Sequence, residues 1–126
     1  MYCLLFDLDN TLLPEDKINF MSTISSDDSY SDILEKYIEN LPPDIKLSML
    51  LQNIPYPKGI ISNASDAHIK CSLIALSIYS EFYDIIGGYN MNKLKPNVDI
   101  YNIALDNYNK EYPFETFNTT FIYFDD

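Results

Sequence analysis

Apolar residues fall in short blocks between polar, turn-rich stretches, and two periodicities alternate along the chain. Tyr2 to Phe6 is an apolar run too brief for a helix and suited to a buried strand. It ends in Asp7-Leu8-Asp9-Asn10-Thr11, a polar stretch with turn-forming chemistry. Residues 14–29 contain Pro14, a Ser/Asp cluster and few periodic apolar positions, which predicts mostly loop. From Tyr30 to Asn40 the spacing turns helical, with Ile33, Leu34, Tyr37, Ile38 and then Leu41. Pro42 and Pro43 interrupt it, and Pro43 can open a second helix over Asp44 to Asn53, where Ile45, Leu47, Met49, Leu50 and Leu51 are apolar.

Lys58 to Ser62 is the second predicted strand. Ser65 or Asp66 then caps a helix running to about Ile78, with Ile69, Leu73 and Leu76 inward and Cys71 a further candidate. Tyr83 to Ile86 predicts a short strand, and Gly87-Gly88 a turn. Pro96 fits the first turn of a helix whose inner face carries Ile100, Ile103 and Ala104, with Tyr108 a further candidate. Thr120 to Phe124 is the last strand, followed by Asp125-Asp126. Strands alternating with helices predict one α/β domain with a parallel sheet and right-handed crossovers. Such sheets bind ligands beyond the carboxyl ends of their strands, and Asp7, Ser62 and Asp125 all fall there.

Composition narrows the classes. The length of 126 residues fits a single modest core, and no apolar run approaches the roughly 20 residues of a membrane span. The first residues lack the basic flank and cleavage site of a signal peptide, so a cytoplasmic location is expected. Net charge is −11 and every basic residue is lysine, which argues against a nucleic-acid groove. Cys3 and Cys71 are the only cysteines and are expected as buried thiols; no Cys/His spacing suggests zinc.

The strand-end residues suggest phosphoryl chemistry. After a strand, Asp7 and Asp9 can lie on the same side while the chain stays extended. One carboxylate can attack phosphorus, while the other protonates the leaving oxygen and then deprotonates water. Two such carboxylates beside a phosphate need a cation, and Mg²⁺ suits oxygen-only ligands. Ser62 is either a turn or capping residue, or it donates with the Asn63 amide to a phosphoryl oxygen at a helix start. Lys95 is either a solvated lysine or the charge that neutralises the phosphoryl group and holds the nucleophile. Asp125-Asp126 is either an acidic tail or the rest of a metal site.

Taken in order, Asp7-Leu-Asp-Asn-Thr-Leu, Ser62, Lys95-Pro96 and Asp125-Asp126 match the four motifs of haloacid dehalogenase-like hydrolases, which the chain resembles. The stretch from Ser62-Asn-Ala-Ser-Asp-Ala-His68, with Leu76-Ser77-Ile78, Phe82-Tyr-Asp84 and Leu94-Lys95-Pro96, is similar to the pyrimidine and inosine 5′-nucleotidases of that superfamily. The resemblance covers roughly residues 1–13 and 41–126. It implies a three-layer sandwich on a Rossmann-like parallel sheet of strand order 4-1-2-3. It also implies Asp7 as nucleophile and metal ligand, and Asp9 as general acid/base with its backbone carbonyl on Mg²⁺. Thr11 would steady the loop or the phosphate, and Ser62, Asn63 and Lys95 would bind phosphate. Asp125 would coordinate Mg²⁺, with Asp126 assisting directly or through water. His68 matches a histidine of the nucleotidase branch and is expected to be structural.

Three departures stand out. The helical cap of the family shrinks to a remnant at about residues 14–43, and the chain ends at Asp126 where family members continue. Ser77 replaces a family glycine, a minor change if that backbone needs no positive φ. The resemblance implies a Mg²⁺-dependent phosphomonoesterase, with nucleoside 5′-monophosphates the favoured substrates. The alternatives are a non-catalytic binding remnant and an open-site phosphatase acting on phosphoproteins.

Overall fold

The computed structural model describes residues 1–113 and 118–125. In chain order its elements are β1 (Tyr2–Phe6), α1 (Tyr30–Asn40), α2 (Ile45–Gln52), β2 (Lys58–Ser62), α3 (Asp66–Ala75), β3 (Asp84–Gly87), α4 (Gly88–Met91), α5 (Val98–Glu111) and β4 (Thr120–Phe124). The four strands form one parallel sheet in the order β3-β2-β1-β4, as the resemblance implied. Leu5 pairs with Gly59 and with Tyr123, so β1 lies centrally between β2 and β4.

The two-residue alternation of the strands divides the core. Leu4, Phe6 and Ile60 face Tyr37 of α1, Leu51 of α2, and Ile69 and Leu73 of α3. On the opposite face Cys3, Leu5, Ile61 and Ile86 meet Ile100, Ala104 and Tyr108 of α5. The result is a three-layer α/β sandwich. Both cysteines are buried free thiols, as expected. Among the described residues no helix is long and apolar enough to cross a membrane.

Side-chain caps set the helix starts. Ser29, Asp44, Ser65 and Asn97 each accept a hydrogen bond from a first-turn amide of α1, α2, α3 and α5 respectively. Pro43 and Pro96 were expected at first helical positions, but each lies just before the capping residue. Asp44 and Asn97 have the side-chain acceptors that a cap requires, and proline has none.

The third helix also stops earlier than its apolar pattern suggested. Ser77 has φ 62°, the Ser77 amide donates to the Ile74 carbonyl, and the Ile78 amide donates to the Leu73 carbonyl. This is a Schellman ending, in which a left-handed residue closes the helix and apolar residues on either side meet in the core. Leu73 and Ile78 are both fully buried. The position therefore needs positive φ, and the serine there is not a minor change.

Residues 14–29, expected mostly as loop, contain two 3-10 turns at Glu15–Lys17 and Asn19–Thr23. Ile18, Phe20 and Ile24 pack against the core, and Phe20 sits edge-on to Tyr37 at 5.0 Å. Their uneven spacing matches neither a helix nor a strand, so the pattern concealed them. In α2, Leu51 is buried and Leu47 half-buried, while Ile45, Met49 and Leu50 are exposed. Apolar residues occur on several sides of that helix, and only the pair four apart reaches the core.

Candidate active site

The carboxyl ends of β1, β2 and β4 converge on one cleft of about 540 Å³, whose walls include Asp7, Asp9, Ser62, Asn63, Lys95 and Asp125. The Asp7 amide donates to the Phe124 carbonyl at 2.8 Å, which locks the ends of β1 and β4 side by side. The chain then turns sharply: the amides of Thr11, Leu12 and Leu13 all donate to the Leu8 carbonyl. Asn10 takes the left-handed conformation this requires, φ 63°, which asparagine tolerates well. Leu8 is fully buried and anchors the turn, while Asp7 and Asp9 on either side face the cleft.

Lys95 joins three strands. Its ammonium lies 3.1 Å from Asp7 Oδ1 and 3.5 Å from Asp125 Oδ2. It also donates to the Tyr123 hydroxyl at 2.5 Å and to the Ile61 carbonyl at 3.3 Å. The Lys95 amide donates to Asn63 Oδ1 at 2.7 Å, so Asn63 fixes the loop that carries the lysine. Ser62 is buried, and its Oγ accepts from the Ala64 amide at 3.1 Å.

Burial lifts the Asp7 carboxyl above the ordinary carboxylate range; Lys95 pulls it back down and Asp125 pushes it further up. For Lys95, burial works against the charge, but the hydrogen bonds to Tyr123 and Asp7 outweigh it and raise the pKa. The lysine is therefore a committed cation. Burial carries the Tyr123 phenol up to about 12 despite the neighbouring ammonium, so it stays protonated.

Asp9 is tied down on its other side. Its Oδ1 is 2.9 Å from His68 Nε2, and His68 Nδ1 is 2.7 Å from the Tyr37 hydroxyl. A second cleft of about 460 Å³ shares Asp9 and Ala64 with the first, and is walled further by Ile18, Met21, His68 and Tyr89.

The structure thus gathers Asp7, Asp9, Ser62, Asn63, Lys95 and Asp125 around one space. Thr11, expected to steady the loop or bind phosphate, does not line it; its Oγ1 is buried without a hydrogen-bond partner among the described residues. The turn on Leu8 carries Thr11 away from the cleft, so its place is within the loop. Asp126 lies outside the described residues. Among the described residues no group of three or more His, Cys, Asp or Glu side chains is arranged to hold a metal. Asp7 and Asp125 remain as two carboxylates sharing one ammonium. An oxygen-only donor set with few protein ligands suits a cation that keeps its waters, as Mg²⁺ does.

Sequence reasoning missed Tyr123, although a signal was present: on β4 it lies two residues before Asp125, and alternation puts both on one face. The bond between Tyr37 and His68 joins residues 31 apart and left no local trace.

No family model and no curated protein matches the sequence. Solved structures do match the backbone. The L-2-haloacid dehalogenase from Xanthobacter autotrophicus superposes with a TM-score of 0.50 at 15% identity, over 82% of this chain and 63% of that one. The same enzyme with chloropropionic acid covalently bound gives 0.53 at 13% identity, over 94% and 68%. The chain has the haloacid dehalogenase-like fold. At these identities the likeness is one of fold, and the chain spans only about two thirds of the dehalogenase's length.

Proposed function

We propose that this haloacid dehalogenase-like chain is a hydrolase of phosphate monoesters that works through an aspartyl phosphate on Asp7. Nucleoside 5′-monophosphates are the favoured substrates. The observation that carries this is the Lys95 ammonium, 3.1 Å from Asp7 and 3.5 Å from Asp125, in a cleft that also presents Asp9. On this reading Asp7 is the nucleophile, Lys95 the cation for the phosphoryl oxygens and Asp9 the second carboxyl, for the leaving group; all three line one small space.

The Asp7 carboxylate attacks phosphorus; its bond to phosphorus forms as the bond to the leaving oxygen breaks. The Asp9 proton passes to that oxygen, and the alcohol departs. Asp9, now a carboxylate, takes a proton from water as the water oxygen attacks phosphorus. The bond to Asp7 breaks, phosphate leaves and the carboxylate is restored. Lys95 neutralises the phosphoryl oxygens, and the Ser62 hydroxyl, whose Oγ accepts from the Ala64 amide, donates its proton to one of them. Mg²⁺, held by Asp7 and Asp125 with the Asp9 carbonyl and Asp126 as further ligands, would offset the charge that gathers on the transferring group.

One structural relative holds covalently bound chloropropionic acid, so carboxylate attack on carbon is the competing chemistry. A halide leaves as an anion and needs no proton, so Asp9 would have no leaving group to protonate. An ester oxygen does need one. On the phosphatase reading, residues 14–43 form a small cap remnant that leaves the cleft open, with Asp9 37% and Asp125 43% exposed.

The test is phosphate release from a panel of nucleoside monophosphates and phosphopeptides, and chloride release from 2-chloropropionate, each with and without Mg²⁺. Release from nucleotides that requires Mg²⁺ and drops on the order of 10³-fold or more in Asp7→Asn is expected. Phosphate release that survives the substitution rules out the covalent route, and preference for the phosphopeptides or the haloacid rules out the substrate class.

A further inference from the structure

His68 is buried and could be a satisfied core residue, yet both of its ring nitrogens are engaged, and one partner is a cleft carboxylate. Tyr37 reaches it from α1, and Phe20 packs edge-on against the Tyr37 ring. A chain of contacts therefore runs from the segment between β1 and α2 to the cleft side of the β1 loop.

Donor and acceptor roles follow from the groups themselves. Burial pushes the Tyr37 phenol well above its ordinary pKa, so it keeps a proton to give. With the exchangeable proton on the other oxygen or absent, Asp9 Oδ1 offers only lone pairs. The consistent arrangement is a Tyr37 hydroxyl donating to Nδ1 at 2.7 Å and Nε2–H donating to Asp9 Oδ1 at 2.9 Å. Nδ1 is then an acceptor, and the imidazole is held in one tautomer and one orientation.

We propose that Tyr37 and His68 are positioning residues for Asp9: they occupy its Oδ1, so that the proton exchanged with substrate sits on Oδ2, the oxygen left for the cleft that Asp9 lines. This rests on the reading of Asp9 as general acid and base. Without the pair, the Asp9 carboxyl can rotate, and its proton is shared between an oxygen that faces the leaving group and one that does not. The loss falls on proton transfer and spares attack by Asp7. Esters whose leaving group needs no proton should form the aspartyl phosphate as fast as before; only the later attack of water, common to every ester, still calls on Asp9.

Leaving-group dependence separates this from a structural role, because general misfolding harms all esters alike. Tyr37→Phe keeps the ring against Phe20 and removes only the hydroxyl, and His68→Gln keeps an amide donor where Nε2–H lies. For a nucleoside monophosphate or other alkyl ester, kcat/KM in Tyr37→Phe should fall about 10- to 100-fold. For 2,4-dinitrophenyl phosphate the fall in kcat/KM should stay within about 3-fold, since that phenolate departs unaided and kcat/KM reports nothing after its departure. His68→Gln should recover part of the activity that His68→Leu loses on the alkyl ester. Equal losses of kcat/KM on both esters, or none on either, would overturn the assignment.

A second readout does not depend on turnover. His68 is the only histidine in the sequence, so its imidazole nitrogens can be assigned directly by ¹⁵N NMR at alkaline pH. The wild type should carry its proton on Nε2, and Tyr37→Phe should mix the tautomers. A proton found on Nδ1 in the wild type overturns the proposal. A wild type inactive toward every ester, yet with the proton on Nε2, would instead overturn the phosphatase reading and with it the catalytic task of the pair.

Discussion

Lys95 is the residue on which the cleft converges, because one ammonium bonds to groups from β1, β2 and β4. Its place in the cleft was legible as a lysine before a proline in ordered sequence with Asp7, Ser62 and Asp125. Asp7, Ser62 and Asp125 need only be placed at strand ends, which the apolar blocks mark. Tyr123 and His68 were harder: the first depends on strand parity, the second on which helix packs over the loop. Ser77 carries a prediction that only the coordinates give. It holds φ 62° at the end of α3 and its side chain is exposed, so a serine bears the steric cost of a left-handed residue and gains no packing in return. Ser77→Gly should raise stability by about 0.5–1 kcal/mol, read from the denaturant midpoint at unchanged slope. A midpoint that falls would mean the unfolded-state entropy of glycine outweighs the relief of strain.

At the scale of elements, strands were read almost to the residue and helix ends were not. Short apolar blocks bounded by polar turns leave little choice for β1 and β4, and the Ile60-Ile61 pair after Gly59 marks β2. Helix ends depend on caps and on φ, which apolar spacing does not report, as the shortened α3 illustrates. The Gly87-Gly88 pair was read as a turn, yet Gly88 opens the single-turn α4. Its lack of a side chain matters for packing: a Cβ there would lie 2.5 Å from the Lys93 carbonyl oxygen and 3.2 Å from Ile100 Cδ1. The Lys93 amide donates to the Gly88 carbonyl at 3.0 Å, so the loop carrying Lys95 closes directly onto this glycine. Gly88→Ala must push that backbone outward. A stability loss of about 1–3 kcal/mol is expected from the overpacking, together with a lower kcat as Lys95 shifts. Calorimetry with phosphate-release assays checks both, and wild-type melting with wild-type turnover would contradict the contact.

For the whole molecule, charge sets a problem that the cleft solves only locally. The chain carries −11, and its proposed substrates are anions. At distances beyond the cleft a nucleoside monophosphate meets net repulsion, which slows encounter. Inside the cleft the situation reverses, because Lys95 is only 10% exposed and its field is little screened by salt. Long-range repulsion between exposed charges, in contrast, fades once the Debye length shrinks to about 8 Å at physiological ionic strength. The two effects therefore respond differently to salt. Raising NaCl from about 10 to 150 mM at fixed free Mg²⁺ should increase kcat/KM for a nucleoside monophosphate by a few-fold, while kcat at saturation changes little. If kcat/KM falls instead, attraction at the mouth of the cleft outweighs the charge of the whole, and the surface acids must lie too far from the approach path to be felt.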